Sequence, residues 1–210
     1  MNIREVGALE NIDEVIAKTV LSLRAGEIIG VNADSSYALL ADAFSHTAVP
    51  RIQNLKKSHN FISPIMIGRA YTLQGLAEVT PDMEKLIEAF WPGDLTLLLR
   101  PMPSLSWKAS KDAISVRMPK DTFTLKLLEH LGPAFVVAAN TSGRPVPTTA
   151  IQAAGNWGSE VKEWFDSGPI ENPELSTIVD MRDGKANISR LGALSLAEIR
   201  KVLPSVTMVA

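Results

Sequence analysis

Polar side chains that suit an anionic ligand follow strand-like apolar stretches at separate places in the chain. Residues 32–37 come after one such stretch, and residues 140–144 come after the most apolar one. Lys56 lies at the end of a predicted helix, and Arg117 lies near the end of a further strand. Open α/β sheets bind ligands in crevices at the carboxyl ends of their strands. We therefore expect these loops to form a cleft for a small anionic ligand.

Each of these features also has an ordinary structural explanation. Asp34 and Ser35 are typical of a turn whose side chains cap the next segment. Lys56 and Lys57, at the end of a helix, complement the helix dipole without any ligand. Arg117, if buried, requires a carboxylate or a phosphate, and an internal ion pair supplies the former. The residues alone leave these alternatives open.

Composition and absent motifs exclude several other chemistries. The 210 residues contain no cysteine, which excludes disulfides and thiolate chemistry, and the three histidines are too scattered to indicate a metal site. The sequence contains no Walker loop, GxGxxG fingerprint or GxSxG elbow. The net charge of −2 does not indicate nucleic-acid binding by the whole protein, although a local basic patch stays possible. No apolar run approaches the roughly 20 residues of a membrane span, so we expect a cytoplasmic protein without membrane contact.

Helix and strand patterns alternate along the chain and must position these residues. Apolar side chains recur with the helical period over residues 12–24, and Gly26 then ends this helix. A capping box of Ser195 and Glu198 begins the last helix. Helices are predicted at 12–24, 48–57, 81–90, 122–131, 150–154, 160–165 and 195–203. Strands are predicted at 28–31, 64–67, 95–100, 113–118, 135–139, 176–180, 187–190 and 206–209. Because strands also follow strands, we expect one α/β domain over residues 1–210, with a mixed sheet and helices on its faces.

Taken in order, short motifs in the chain resemble those of the YrdC/YciO family. The motifs are NADSSYAL at 32–39, Lys56, WPGDLT at 91–96, SVRMP at 115–119, AANTSG at 138–143, STIVD at 176–180 and RLG at 190–192. The resemblance extends over about residues 12–203. It implies a twisted α/β sheet with a large concave basic cavity. In the catalytic branch of the family it also implies synthesis of threonylcarbamoyl-AMP from threonine, bicarbonate and ATP, for the tRNA modification t6A.

The resemblance also implies roles for the residues that match the family's motifs. Lys56 and Asn140 correspond to catalytic residues that bind the nucleotide, and Arg190 corresponds to a further nucleotide contact. Three residues match the family's threonine contacts: Ser35, Arg117 and Ser176. ATP is expected with Mg²⁺ as a substrate, and neither a permanently bound cofactor nor a protein metal site is expected.

The chain departs from the family at positions that contact the nucleotide. Ser58 stands where the family has an arginine, Ala138 replaces a serine, and Val146 replaces another serine nearby. Loss of a charged and a neutral hydrogen bond, about 1.5–3 and 1 kcal/mol, weakens binding by roughly two to three orders of magnitude. Lys57 and Arg144 are candidates to compensate. A second hypothesis is therefore a divergent, non-catalytic paralogue that binds tRNA, double-stranded RNA or a nucleotide in the same cavity. A third is a purely structural or partner-binding domain.

Overall fold

The computed structural model describes residues 2–57, 62–105 and 113–208, which form an open α/β fold around one mixed sheet. The helices are α1 (Ile12–Arg24), α2 (Ala48–Leu55), α3 (Pro81–Phe90), α4 (Thr122–Leu131), α5 (Ala150–Ala154) and α6 (Leu196–Val202). The strands are β1 (Ile3–Glu5), β2 (Ile29–Asn32), β3 (Tyr37–Asp42), β4 (Ser63–Met66), β5 (Leu95–Leu99), β6 (Ile114–Arg117), β7 (Ala134–Ala138), β8 (Trp164–Asp166), β9 (Thr177–Asp180), β10 (Asn187–Arg190) and β11 (Thr207–Met208).

The direction of the central strands determines where their loops lie. The 11-stranded sheet has the order β1-β8-β2-β3-β7-β4-β6-β5-β9-β10-β11. β4 is parallel to β6 but antiparallel to β7. Strands β6 and β7 therefore run in opposite directions, and the loops that follow them leave from opposite ends of the strands.

Two hydrophobic clusters cover the two faces of the sheet. Along β3, Leu39 and Ala41 belong to the cluster that packs under α2, α3, α5 and α6, whereas Ala38 and Leu40 belong to the cluster under α1 and α4. This alternation is the period of two that a strand buried on both faces requires. The central strands are therefore buried on both faces by helices.

Side-chain caps explain where the helices that flank the sheet begin. The Asp121 carboxylate accepts a hydrogen bond from the Thr124 amide at the start of α4. Ser195 and Glu198 form both bonds of the predicted capping box at α6, which confirms that prediction.

No helix in the described part of the chain has both the length and the apolar character that a membrane span needs.

The structure corrects three sequence predictions. Residues 160–165 were predicted to be helical, but β8 occupies the end of that segment, where its Trp164 ring packs over Gly30 of β2. β1 and β3 had no predicted counterpart, because β1 has only three residues and residues 32–37 were interpreted as a loop without a returning strand. The predicted strand at 206–209 corresponds to the shorter β11, and Val209 lies outside the described residues.

Candidate functional site

A cavity of about 220 Å³ opens on the sheet face that α1 and α4 partly cover. Ala38, Met66 and Val136 line it and also belong to the hydrophobic cluster under those two helices. Sites for drug-sized ligands have volumes of about 300–1,000 Å³. The cavity therefore suits a smaller ligand, of the size of an amino acid.

Side chains two residues apart on neighbouring strands line the floor of the cavity. The pairs are Pro64 and Met66 on β4, Ser115 and Arg117 on β6, and Val136 and Ala138 on β7. The register of β4 and β6 places Pro64 beside Ser115 and Met66 beside Arg117. The cavity thus lies on the face of the sheet. The expectation that the loops after strands meet at one edge is wrong for β6 and β7, because these strands run in opposite directions.

Four of the six predicted site residues line this cavity. They come from the turn between β2 and β3, from the end of β6, from the residue before β9 and from the end of β10: Ser35, Arg117, Ser176 and Arg190. No acidic side chain lines the cavity among the residues that the structure describes. Lys56 and Asn140 do not line it but adjoin its wall, because the Lys56 ammonium donates to the carbonyl of Ala138.

Arg117 forms a buried ion pair beside the cavity. Its Nη2 donates to Oδ2 of Asp34, and the two side chains are only 11% and 7% exposed. The ion pair that the sequence left open as an alternative is therefore present. Within the described ranges, Nε of Arg117 is buried without a hydrogen-bond partner. The Arg117 side chain nevertheless lines the cavity, and its predicted contact with threonine stays a prediction.

Arg190 brings a second positive charge to the cavity. Its Nε and Nη2 donate to the Ser176 carbonyl at 3.1 and 2.9 Å, and Nη2 also donates to Ser176 Oγ at 3.2 Å. Burial, and next the positive charge of Arg117, lower the pKa of the Arg190 guanidinium. An arginine remains protonated in proteins, so the repulsion between the two guanidiniums favours an anion beside them.

Thr96 is a site residue that the role assignments missed. It is 6% exposed, lines the cavity, and its Oγ1 lies 2.7 Å from Ser176 Oγ. Because Arg190 already donates to Ser176 Oγ, the Thr96 contact limits how that hydroxyl can orient. The sequence signal was a single polar residue inside the otherwise apolar strand Leu95–Leu99.

Lys56 and Asn140 form a separate polar cluster next to the cavity. The Lys56 ammonium donates to the Ala138 carbonyl at 2.8 Å, to the Asn140 carbonyl at 2.5 Å and to Asn140 Oδ1 at 2.8 Å. It also lies 5.8 Å from the centre of the Trp157 ring, a cation–π distance. Burial lowers the pKa of Lys56 below its ordinary value of 10.5. These three acceptors match the three protons of the ammonium, so a phosphate has to replace one of them.

Two of the three positions where the chain departs from the family form an apolar wall. Ala138 and Val146 both line the cavity, whereas Ser58 lies outside the described residues. Lys57 and Arg144, the candidates for compensation, are exposed and do not line the described cavity. In the described part of the chain, no group of three or more histidine, aspartate or glutamate side chains is placed to hold a metal ion.

Comparison with known proteins finds matches over most of the chain. The Sua5/YciO/YrdC family model, described as telomere recombination, matches residues 22–192. A putative threonylcarbamoyl-AMP synthase of Mycobacterium tuberculosis is 34% identical over 192 residues, which cover 90% of this chain and 88% of that protein. The match is therefore to nearly the whole of this relative.

Solved structures share the fold. Pyrococcus abyssi Sua5 complexed with L-threonine has a TM-score of 0.88 at 29% identity, and the match covers 100% of this chain and 63% of that one. The chain thus spans less than two thirds of that Sua5 chain. Escherichia coli YciO has a TM-score of 0.81 at 19% identity, with 94% of this chain and 98% of that chain covered, which shows the fold alone. These likenesses confirm the predicted α/β fold with a mixed sheet.

Proposed function

The chain belongs to the Sua5/YciO/YrdC family, and from this membership we propose that it synthesises threonylcarbamoyl-AMP from L-threonine, bicarbonate and ATP, for the tRNA modification t6A. The observation that carries the proposal is the meeting of Ser35, Arg117, Ser176 and Arg190 around a cavity of about 220 Å³. Ser176 and Arg190 belong to consecutive paired strands, whereas Ser35 and Arg117 come from distant parts of the chain, so their convergence is a property of the fold. A cytoplasmic location is part of the proposal.

The cavity offers each group of threonine a partner. The carboxylate of threonine pairs with the Arg117 guanidinium, which lines the cavity. Ser176 and Ser35 orient the amine and the hydroxyl group. The apolar wall, which includes Val136 and Ala138, contacts the methyl group. Threonine bound in this way fills a cavity that is too small to enclose a nucleotide as well.

ATP binds from the side of the cavity where Lys56 and Asn140 lie, and Arg190 contacts its phosphates. Lys56 exchanges one of its three carbonyl or amide acceptors for a phosphate oxygen, which keeps its ammonium fully hydrogen-bonded. Mg²⁺ binds with the phosphates of ATP, since phosphate oxygens and water are its preferred ligands.

The chemistry is mainly positioning and electrostatic stabilisation. Bicarbonate adds to the threonine amine with loss of water and forms the carbamate. A carbamate oxygen then attacks the α-phosphorus, and pyrophosphate leaves. Lys56 and the two arginines stabilise negative charge that develops on the phosphates and on the carbamate. This leaves no step that requires a protein nucleophile.

A second candidate is a non-catalytic relative that binds tRNA, double-stranded RNA or a nucleotide through the same region. The observation that favours it is that Lys56 already has three acceptors, while Ala138 presents a methyl group where the family has a hydroxyl. A lysine held in this way stabilises the loop after β7 without any ligand. On this hypothesis the cavity binds a ligand and no reaction follows.

Pyrophosphate release separates the two candidates. The purified protein is incubated with Mg·ATP, bicarbonate and threonine at millimolar concentrations, with omission of each substrate in turn. The synthase releases pyrophosphate only when all substrates are present, and an Arg117→Ala variant loses this release. A protein that binds threonine or ATP in a calorimeter without any threonine-dependent release supports the second candidate. Binding of tRNA is tested by titration at increasing salt, because a phosphate-led contact weakens steeply.

A further inference from the structure

Asp34 connects two motifs that lie on the same side of the cavity. Its carboxylate accepts from Arg117 Nη2, from the Lys120 amide at 3.0 and 3.1 Å, and from the Asp121 amide at 3.0 Å. Arg117 and Asp34 are 83 residues apart in the chain. The carboxylate therefore joins the turn between β2 and β3 to the segment between β6 and α4.

The backbone conformation of Asp34 sets the direction of its side chain. Its φ is 64°, in the left-handed region that residues other than glycine rarely occupy. The Asn32 side chain accepts from the Asp34 amide at 2.8 Å, which stabilises this turn. The turn directs the Asp34 side chain away from the cavity lining, while its neighbours Ala33 and Ser35 line the cavity.

The contact with Asp34 restricts how Arg117 can meet a ligand. A guanidinium has five N–H donors in one rigid plane, so a hydrogen bond at Nη2 determines the direction of the others. With Nη2 held by a carboxylate that two backbone amides also hold, the plane of Arg117 cannot rotate freely. The guanidinium, which lines the cavity, then keeps one orientation toward a ligand.

We infer that Asp34 is a positioning residue that orients Arg117 for the carboxylate of the amino-acid substrate. The inference rests on the amino-acid site of the proposed function. A different role for Asp34, as a counter-charge only, has the opposite consequence. Because a nearby negative charge opposes binding of an anion, removal of a mere counter-charge strengthens binding of a carboxylate.

Two variants and two ligands test the inference. Asp34→Glu keeps the charge and moves the carboxylate by one methylene group, and Asp34→Asn keeps the size and removes the charge. Binding of L-threonine and of L-threoninamide, which lacks the carboxylate, is measured by calorimetry, with thermal unfolding as a check of the fold. We expect the Kd for threonine to rise roughly tenfold to a hundredfold in both variants, with a much smaller change for threoninamide.

The controls separate this inference from a structural role and from the proposed function. Asp180→Asn removes the carboxylate of another partly buried arginine pair, with Arg182, and leaves threonine affinity unchanged. An equal loss for both ligands, unchanged threonine affinity in Asp34→Glu, or tighter threonine binding in Asp34→Asn overturns the positioning role. If the unmodified protein binds no threonine, the proposed function fails instead. If Asp34→Asn does not fold, Asp34→Glu carries the comparison.

Discussion

Arg117→Ala tests the site most directly, because the structure gives Arg117 both an ion pair and a place in the cavity. The substitution leaves the Asp34 carboxylate buried, at 7% side-chain exposure, without its cationic partner. Removal of one partner of a buried ion pair costs about 3–5 kcal/mol. Asp34 keeps the amide hydrogen bonds from Lys120 and Asp121, so we expect a loss near 3 kcal/mol. Since domains have a free energy of unfolding of about 5–15 kcal/mol, the variant remains folded.

Threonine binding decides whether Arg117 does more than stabilise the fold. Loss of a charged hydrogen bond, about 1.5–3 kcal/mol, raises the Kd for threonine by roughly 10- to 150-fold. Urea unfolding measures the stability of the variant, and calorimetric titration measures its affinity for threonine. The double variant Asp34→Ala/Arg117→Ala is expected to recover about 2 kcal/mol relative to additive losses, because it leaves no unpaired charge, but not to recover binding.

Two outcomes contradict this reasoning. A folded Arg117→Ala variant that binds threonine as the unmodified protein does shows that the ion pair is the whole role of Arg117. A variant that unfolds completely shows that the ion pair contributes far more to stability than expected for an Asp34 carboxylate that keeps its hydrogen bonds from the Lys120 and Asp121 amides. Arg182→Ala is the matched control, since it breaks the partly buried ion pair with Asp180 and is expected to leave threonine binding unchanged.

Three further predictions follow from the geometry. Thr96→Val is expected to raise the KM for threonine more than the KM for ATP, because the Ser176 hydroxyl loses its hydrogen bond to Thr96 at a cost of about 1 kcal/mol. Thr96→Ser restores the affinity, and equal effects on both substrates contradict the prediction. Because the pKa of Lys56 is lowered, its ammonium loses its proton at a pH below the ordinary value of 10.5. ATP affinity measured by calorimetry is therefore expected to fall as the pH is raised toward that value, and the midpoint of this fall is expected to be unchanged in a Lys57→Asn variant, since Lys57 is exposed. A Cβ on Gly30 would lie 1.8 Å from the indole ring of β8, so Gly30→Ala loses about 3 kcal/mol or more in urea unfolding; unchanged stability contradicts the packing.

Local patterns in the sequence were enough to predict most helices, and the family resemblance was enough to predict four residues of the cavity. Caps and apolar periodicity depend on neighbours within a few positions, so α3, α4 and α6 were predicted close to their observed bounds. The family resemblance identified four residues that the structure brings together around one cavity. It did not identify Thr96, because a threonine inside an apolar strand has no local sign of which hydroxyl it contacts.

The tertiary structure alone decided the directions of the strands and the partners across the sheet. β8 was missed because a strand of three residues is stabilised by pairing with segments that are distant in the chain, and β3 because its pairing with β7 across the sheet leaves no local sign. The opposite directions of β6 and β7 place the cavity on the face of the sheet, which no motif of either strand indicates. The contact between Asp34 and Arg117 likewise spans 83 residues. Sequence pattern determines which face of an element is apolar, whereas burial of both faces of the whole sheet determines which elements become neighbours.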